Sequence, residues 1–331
     1  MNAPTTHMKR VIVLGTGGTI AGSGGLPGAN VGYTAGTIPV SDLLTGITGP
    51  ADLVLEGEQV AQLDSKDMEL ETWLQLRARC VHWLAQADVA GVVITHGTDT
   101  IEETAFFLAS TVATSKPIVL TCAMRPATAL SPDGPQNLRD ALSVAADPAA
   151  AGVVVVCAGE IHGARHVSKS HPYRLNAFSS GDIGPLGYVE EGQVRLVHGW
   201  PSLLKAEPTL DPEIWSAGAD WPRVEILMSH AGASGMLLDL LADQREAGVE
   251  NAVEGVVIAA TGNGSLHQVV EAAAQRAKQR GVAVLIASRC GSGKVLRPDT
   301  RGIEDAADLN APKARIALML ALLCQSRGTH L

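Results

Sequence analysis

The sequence lacks features that would place it in several common classes of protein. It has no run of lysines or arginines, and its formal net charge is -9. Nucleic acids and anionic membrane surfaces attract basic patches, so we expect neither as a partner. No uninterrupted apolar stretch is long enough to cross a bilayer. The apolar run after Arg10 is too short for a secretory signal, and no cleavage pattern follows it, so we expect a soluble, cytoplasmic protein.

Cysteine is scarce and shows no useful pairing. The five cysteines are scattered, and no two have CxxC or metal-ligand spacing. This favours reduced, mostly buried thiols in a reducing compartment. His162 and His166 have the spacing of a metal-binding pair on a helix, but Gly163 between them weakens a helix and further ligands are missing. We therefore predict no metal site.

Short apolar runs alternate with amphipathic segments along the chain. The runs are rich in Val and Ile, as expected for strands buried on both faces of a parallel sheet. Predicted strands are Val11–Leu14, Val92–Thr95, Ile118–Thr121, Val153–Val156, Val224–Met228, Val256–Ala260 and Val282–Ala287. Predicted helices are 67–87 (with Asp67 as N-cap), 138–146, 236–247, 265–279 and 311–323, and another helix starts near Glu102. The alternation predicts an α/β fold with a mostly parallel sheet flanked by helices.

A change of composition near residue 200 indicates a domain boundary. The segment "GWPSLLKAEPTLDPEIWSAGADWP" holds four prolines and no clear periodicity. We predict a larger N-terminal catalytic α/β domain over 1–200, a linker over 201–222, and a smaller C-terminal α/β domain over 223–331. The linker segment is expected to pack through Trp200, Trp215 and Trp221.

Glycines crowd the segment "GTGGTIAGSGGLPGANVGYTAG" after the first strand, which suggests a nucleotide-binding loop. Two tests reject that interpretation. A dinucleotide fingerprint starting at Gly15 would need a third glycine where Ile20 stands, and a P-loop would need a lysine that is absent. What remains is a tight turn presenting Thr16 and Thr19, then a flexible segment with Tyr33 that could act as a lid.

Polar side chains follow the predicted strands. Thr19 follows the first strand, Thr98 and Asp99 follow the second, and Ser65 precedes a helix. Ligands of open parallel sheets bind beyond the carboxyl ends of the strands, so we expect one pocket with hydroxyls, a carboxylate and anion-binding amides. A threonine nucleophile needs a polarising neighbour, and Lys169 is a candidate for a proton relay with Thr98 and Asp99.

Together these segments resemble the bacterial-type L-asparaginases, which hydrolyse asparagine and often glutamine. The two signature segments are "TGGTIAG" and "VITHGTDTIEETAFFL", and the similarity continues through "SKDM", "AMRP", "SPDGPQNL", "GPLGY", "GNGS" and "NAPKAR". The resemblance covers nearly the whole chain. It implies a two-domain α/β fold and a homotetramer of intimate dimers, with sites between two subunits and no metal or organic cofactor.

The resemblance also implies roles for individual residues. Thr19 occupies the nucleophile position, Tyr33 orients it, and Thr98, Asp99 and Lys169 form a proton relay. Ser65 and Asp99 would hold the α-carboxylate and α-amino groups of the substrate. The expected reaction is hydrolysis of L-asparagine to L-aspartate and ammonia through an acyl-enzyme.

Three departures from the family pattern concern recognition of the α-amino group. Lys66 stands where the family often has Gln or Glu, and a cation there would disfavour an α-ammonium. Ser265 replaces a second asparagine of some members, and the segment 289–310 looks short, with Glu304 a weak candidate for the acidic residue lent by a partner subunit. Three alternatives stay open: an amidase on a related small amide, an amidase on a larger peptidyl or tRNA-linked amide, and a non-catalytic amino-acid sensor.

Overall fold

The described chain has a mostly parallel sheet in one unit and a smaller parallel sheet in the other. A computed structural model of the protein describes residues 9–24, 28–47, 49, 53–201, 212–215, 220–296 and 302–326. The chain divides into the units Met1–Ala206 and Glu207–Leu331. Most of the predicted linker 201–222 lies outside the described residues, so its bounds stay a prediction.

The first unit is built on an eight-stranded sheet. In chain order the strands of this unit are β1 (Lys9–Gly17), β2 (Ser23–Gly24), β3 (Tyr33–Thr34), β4 (Leu53–Leu63), β5 (Val89–Thr95), β6 (Ile118–Thr121), β7 (Val153–Cys157), β8 (Glu160–Gly163), β9 (Ser168–Lys169), β10 (Phe178–Ser179), β11 (Gly187–Glu190) and β12 (Gln193–Leu196). Strands β2 and β3 form one separate two-stranded ribbon, and β9 and β10 form another. The large sheet has the order β12-β11-β8-β7-β6-β5-β1-β4. Strands β4, β1, β5, β6 and β7 run parallel, while β8, β11 and β12 add an antiparallel end.

Helices cover this sheet. They are α1 (Val40–Leu43), α2 (Leu70–Leu84), α3 (Ile101–Thr111) and α4 (Gly134–Ala146). Helix α4 buries Leu138 and Leu142 in a core cluster with Val13 and Val93 of the sheet. Helices α2 and α3 pack on each other, with Trp73 stacked on Phe107 at 5.1 Å between ring centroids. The predicted α/β class with a mostly parallel, helix-flanked sheet is confirmed.

The second unit has its own parallel sheet and core. Its strands are β13 (Val224–Met228), β14 (Gly255–Ala260), β15 (Ala283–Ser288) and β16 (Glu304–Asp305), in that order across the sheet. Its helices are α5 (Met236–Glu246), α6 (Gln268–Gln279) and α7 (Ala311–Ser326). Trp215 and Trp221 pack on a small cluster with Leu323 of α7.

Several local predictions differ from the structure. Asp67 does not cap α2, because it lies in a 3-10 turn over Ser65–Asp67 and the helix begins only at Leu70. Strand β4 alternates half-buried and exposed residues at the sheet edge, so it lacks the continuous apolar run of an inner strand. His162 lies in β8, so it does not share the face of a helix with His166.

No helix among the described residues combines the length and the apolar character needed to span a bilayer.

Candidate active site

Three neighbouring strands of the large sheet end at one edge, and each leads into a polar side chain. Strand β1 lies between β4 and β5 and runs parallel to both, so their carboxyl ends lie side by side. Thr19 follows β1, Ser65 follows β4, and Thr98 and Asp99 follow β5. The edge of the sheet thus collects the residues that the sequence predicts for one pocket.

Glycines let the loops after these strands touch. Gly18 has a φ of 77°, and a Cβ there would overlap the backbone of Gly97. A Cβ on Gly97 would lie 2.7 Å from Cβ of Ser65. A larger residue at Gly18 would push the loops apart, because the backbone of Gly97 cannot yield as a flexible side chain does, and a larger residue at Gly97 would displace the Ser65 side chain. Thr19 and Thr98, the residues next to these glycines, are thereby fixed in adjoining loops.

Thr19 has a short contact to Tyr33. The Thr19 Oγ1 and Tyr33 Oη atoms are 2.6 Å apart, and either can donate the hydrogen bond. Thr19 is buried, while Tyr33 is half-buried on β3, which pairs with β2 in a two-stranded ribbon. The glycine-rich segment therefore places its tyrosine on the hydroxyl of Thr19, and residues 25–27 of that segment lie outside the described part of the chain.

Lys169 joins Thr98 and Asp99. Its Nζ donates to Thr98 Oγ1 at 2.7 Å and to Asp99 Oδ1 at 2.6 Å. The Lys169 side chain is 18% exposed, whereas that of Asp99 is 55% exposed. The ammonium therefore sits behind the carboxylate, and much of the Asp99 carboxylate remains open to a ligand.

Ser65 is buried against the same loop. Its Oγ accepts a hydrogen bond from the Asp99 amide at 3.3 Å, and its carbonyl accepts one from Thr100 Oγ1 at 2.7 Å. These bonds attach the turn after β4 to the loop after β5. Ser65 thus adjoins the Asp99 backbone, which suits the pocket role predicted for it.

Lys66 points to carboxylates of its own turn. Its side chain is 61% exposed, and its ammonium pairs with Asp67 and lies 3.7 Å from Asp64 Oδ2. The hydrogen bond to Asp67 raises the pKa of Lys66 above its ordinary value. The turn carries two negative charges and one positive charge, so the cation is compensated locally.

Ser265 and Glu304 belong to the second unit. Ser265 is exposed and forms a tight turn with Thr261, whose hydroxyl donates to the Ser265 carbonyl at 2.8 Å. It precedes α6, which begins at Gln268 with His267 as its N-cap, so the predicted helix starts three residues too early.

Glu304 is exposed on β16, and residues 297–301 before it lie outside the described residues.

A buried histidine network behind the site was not predicted from the sequence. His96 Nδ1 is 2.8 Å from the Gly97 carbonyl, which can only accept, so Nδ1 carries the proton. His96 Nε2 then accepts from Thr104 Oγ1 at 2.9 Å, and Thr104 Oγ1 accepts from Trp73 Nε1 at 2.9 Å. The one available signal was a histidine directly after a buried apolar strand. The network fixes the Gly97 peptide just before Thr98.

Complete burial keeps His96 neutral and should make folding sensitive to acid. Burial lowers the pKa of His96 to about 4, against about 6.5 in an unfolded chain. Between these values the unfolded state binds more protons, so stability falls as the pH drops from about 6.5 to about 4. Above about pH 6.5 the group is neutral in both states and contributes no pH dependence. We expect the linkage to His96 to lower the free energy of unfolding by up to about 3 kcal/mol as the pH falls from about 6.5 to about 4.

Urea unfolding at about pH 7 and about pH 4.5 checks this, with His96→Gln as the comparison. We expect the variant to be less stable near neutrality, because it disturbs a buried network, but to lose less stability on acidification. An identical pH dependence in both proteins would contradict the assignment.

Two domain models of one protein family match the chain. Residues 10–201 match the model described as "Asparaginase, N-terminal", and residues 223–329 match "Glutaminase/Asparaginase C-terminal domain". Together these matches cover both sheets.

The chain is also similar in sequence to curated proteins and to a solved structure of the same kind. The chain is 37% identical to L-asparaginase 2 of Escherichia coli strain K12 over 323 residues, covering 95% of this chain and 89% of the relative. It is 35% identical to the "Probable L-asparaginase periplasmic" of Haemophilus influenzae, covering 97% of this chain and 90% of the relative. The crystal structure of a "Probable Cytoplasmic L-asparaginase" from Campylobacter jejuni has a TM-score of 0.86 and 37% identity, covering 95% of each chain.

Proposed function

Because the chain belongs to the asparaginase family, we propose that it is an amidohydrolase that converts L-asparagine and water to L-aspartate and ammonia. One observation carries the proposal: Lys169 Nζ bridges Thr98 Oγ1 and Asp99 Oδ1 at the sheet edge where Thr19 contacts Tyr33. A sensor that only binds its ligand would need neither the lysine bridge nor the tyrosine contact.

Thr19 is the proposed nucleophile. Its Oγ1 attacks the side-chain amide carbon, its hydroxyl proton passes to the amide nitrogen, and the C–N bond breaks to release ammonia and form an acyl-enzyme ester. Water then attacks the ester, which frees L-aspartate and restores the hydroxyl. The 2.6 Å contact with Tyr33 Oη fixes the orientation of Thr19 Oγ1 before attack. Orientation of this kind contributes to rate because the reacting atoms start near their reactive geometry.

The Thr98–Asp99–Lys169 group is the proposed proton relay. Thr98 Oγ1 accepts a hydrogen bond from the Lys169 ammonium. The hydroxyl proton of Thr98 therefore stays available for donation to a group in the pocket. The Asp99 carboxylate holds the ammonium in place. Proton transfer by a positioned group typically contributes about 10²–10⁴-fold to rate. The mechanism uses side chains alone and needs neither a metal nor an organic cofactor.

Asp99 and Ser65 are the proposed anchors for the amino-acid part of the substrate. The exposed part of the Asp99 carboxylate attracts the α-ammonium, and Ser65 lies beside the backbone amide of Asp99. A buried hydroxyl near backbone N–H groups suits an α-carboxylate. We propose that a zwitterionic α-amino acid is preferred over an amide lacking the amino group.

Ammonia release from L-asparagine, L-glutamine and succinamate tests the proposal. We expect the highest kcat/KM on L-asparagine. A folded protein that binds L-asparagine without releasing ammonia would favour the sensor, and turnover of succinamate above that of L-asparagine would favour an amidase with altered α-amino recognition.

Lys66 provides a test of α-amino recognition. Asp64 and Asp67 already compensate its charge, so we expect Lys66→Gln to change the ratio of kcat/KM for L-asparagine to that for succinamate by less than about 3-fold. A rise of the ratio by about 10-fold or more would mean that the ammonium does repel the substrate's α-amino group.

We extend the proposal to assembly and location: a homotetramer of intimate dimers, as the family resemblance implies, and a place in the cytoplasm. The relatives include proteins named cytoplasmic and periplasmic, and all five cysteines are free thiols, four of them buried. Sedimentation velocity and cell fractionation test the two statements, and a monomer or a periplasmic protein would contradict them.

A further inference from the structure

Lys169 is held by a weak local structure and by one carboxylate from a helix. It lies on β9, a strand of two residues that pairs only with the two residues of β10 within the described chain. An isolated two-stranded ribbon is marginally stable in water. A lysine on such a ribbon needs another anchor, because its four-carbon stem can place the ammonium in many positions.

Glu102 provides that anchor. Its Oε2 accepts a hydrogen bond from the backbone N–H of Lys169 at 2.7 Å, and the residue is only 7% exposed. Hydrogen bonds to an ionised carboxylate are shorter and about twice as strong as neutral ones. The carboxylate contacts the main chain of Lys169, while the ammonium of Lys169 contacts Thr98 and Asp99.

The location of Glu102 links the two halves of the relay. It lies in the first turn of α3, which begins two residues after Asp99. The loop with Thr98 and Asp99 leads directly into this turn. The first turn of α3 therefore fixes two positions. It fixes the loop with Thr98 and Asp99, which accept from the Lys169 ammonium, and it fixes the Lys169 backbone through Glu102.

We propose that Glu102 is a positioning residue that holds Lys169 in register with Thr98 and Asp99. The inference rests on the proposed function, since it concerns the same relay. Misplacement of a catalytic group by about 1 Å can cost about 10²-fold in rate. We expect Glu102→Ala to lower kcat by about 10- to 100-fold with little change in KM, because the Lys169 backbone moves while the loop with Thr98 and Asp99 stays.

Conservative and matched variants separate positioning from folding. Glu102→Gln keeps a side-chain oxygen that can accept from the Lys169 amide, so it should restore kcat to within about 5-fold of wild type. Glu71→Ala removes an exposed acidic residue from the first turn of α2 and controls for the loss of helix-dipole stabilisation. We expect that control to leave kcat unchanged.

A double-mutant cycle gives the decisive readout. If Glu102 acts through Lys169, Glu102→Ala should reduce kcat by less than about 3-fold when Lys169 is already replaced by Met. Equal reductions with and without Lys169 would overturn the proposal, because a purely structural role predicts additive effects. A kcat for Glu102→Ala equal to that of wild type would also overturn it.

Amide hydrogen exchange keeps this test separate from the proposed reaction. The peptide containing Ser168 and Lys169 should exchange faster in Glu102→Ala than in wild type or Glu102→Gln, whether or not L-asparagine is a substrate. Absence of ammonia release by wild type would contradict the proposed function, whereas unchanged exchange would overturn the role of Glu102.

Discussion

Thr19→Ala is expected to lower kcat for ammonia release from L-asparagine by about 10⁴-fold or more. Removal of a hydroxyl nucleophile leaves no atom to form the acyl-enzyme, and losses of about 10⁴–10⁶-fold are typical of such a change. Thr19 is buried and its hydroxyl touches Tyr33, so alanine removes the reacting atom without disturbing a large side chain.

Two variants make the result specific to Thr19. Thr19→Ser keeps a hydroxyl and should retain far more activity than Thr19→Ala. Thr16→Val is the matched control, because Thr16 is a buried threonine of the same segment whose Oγ1 donates to the Thr95 carbonyl at 2.8 Å. Loss of this hydrogen bond should lower the free energy of unfolding by about 1 kcal/mol and leave kcat nearly unchanged. An equal loss of activity in Thr16→Val and Thr19→Ala would mean that the segment is only structural.

Lys169→Met is expected to lower kcat by about 10³-fold, within the range for loss of a general acid–base group. Methionine preserves the length of the stem but removes the ammonium that Thr98 and Asp99 both contact. It also leaves Asp99 without its cation. We therefore expect a rise in KM as well, because the carboxylate would no longer be held where it meets the substrate's α-ammonium.

Lys116→Met controls for the loss of a partly buried lysine. Lys116 Nζ donates to the carbonyl of Leu84 at 3.0 Å and to that of Gln86, away from the sheet edge that holds Thr19 and Thr98. That variant should change stability more than kcat. A Lys169→Met enzyme within about 5-fold of wild-type kcat would exclude Lys169 from proton transfer.

The sequence predicts the inner strands well because their burial leaves a continuous apolar run. Strands β5, β6 and β7 contain almost nothing but small and branched apolar residues. Strand β4 escapes prediction because it lies at the edge, where one side meets solvent and polar residues interrupt the pattern. The antiparallel strands β8, β11 and β12 are short, and sequence periodicity over four residues carries little information.

Some residues of the candidate site can likewise be predicted from the sequence, and others cannot. Thr19, Thr98 and Asp99 can be placed from the sequence, since each follows a strong strand signal and parallel strands end at one edge. Lys169 lies 70 residues from Asp99 and follows no such signal, so the residues alone make it one candidate and the family resemblance assigns it to the relay. The structural roles of His96 and Glu102 are not predicted from the sequence. Their roles depend on hydrogen-bond partners that lie on other elements of the fold. Their hydrogen-bond partners include Trp73, Thr104 and the backbone of Lys169.

Rapid acid quenching during turnover of radiolabelled L-asparagine, followed by peptide mapping, tests the central claim most directly. The proposed mechanism predicts an aspartyl ester on the peptide that contains Thr19, present in wild type and absent from Thr19→Ala. Label on a peptide containing Thr98 instead, or ammonia release by Thr19→Ala at the wild-type rate, would contradict it.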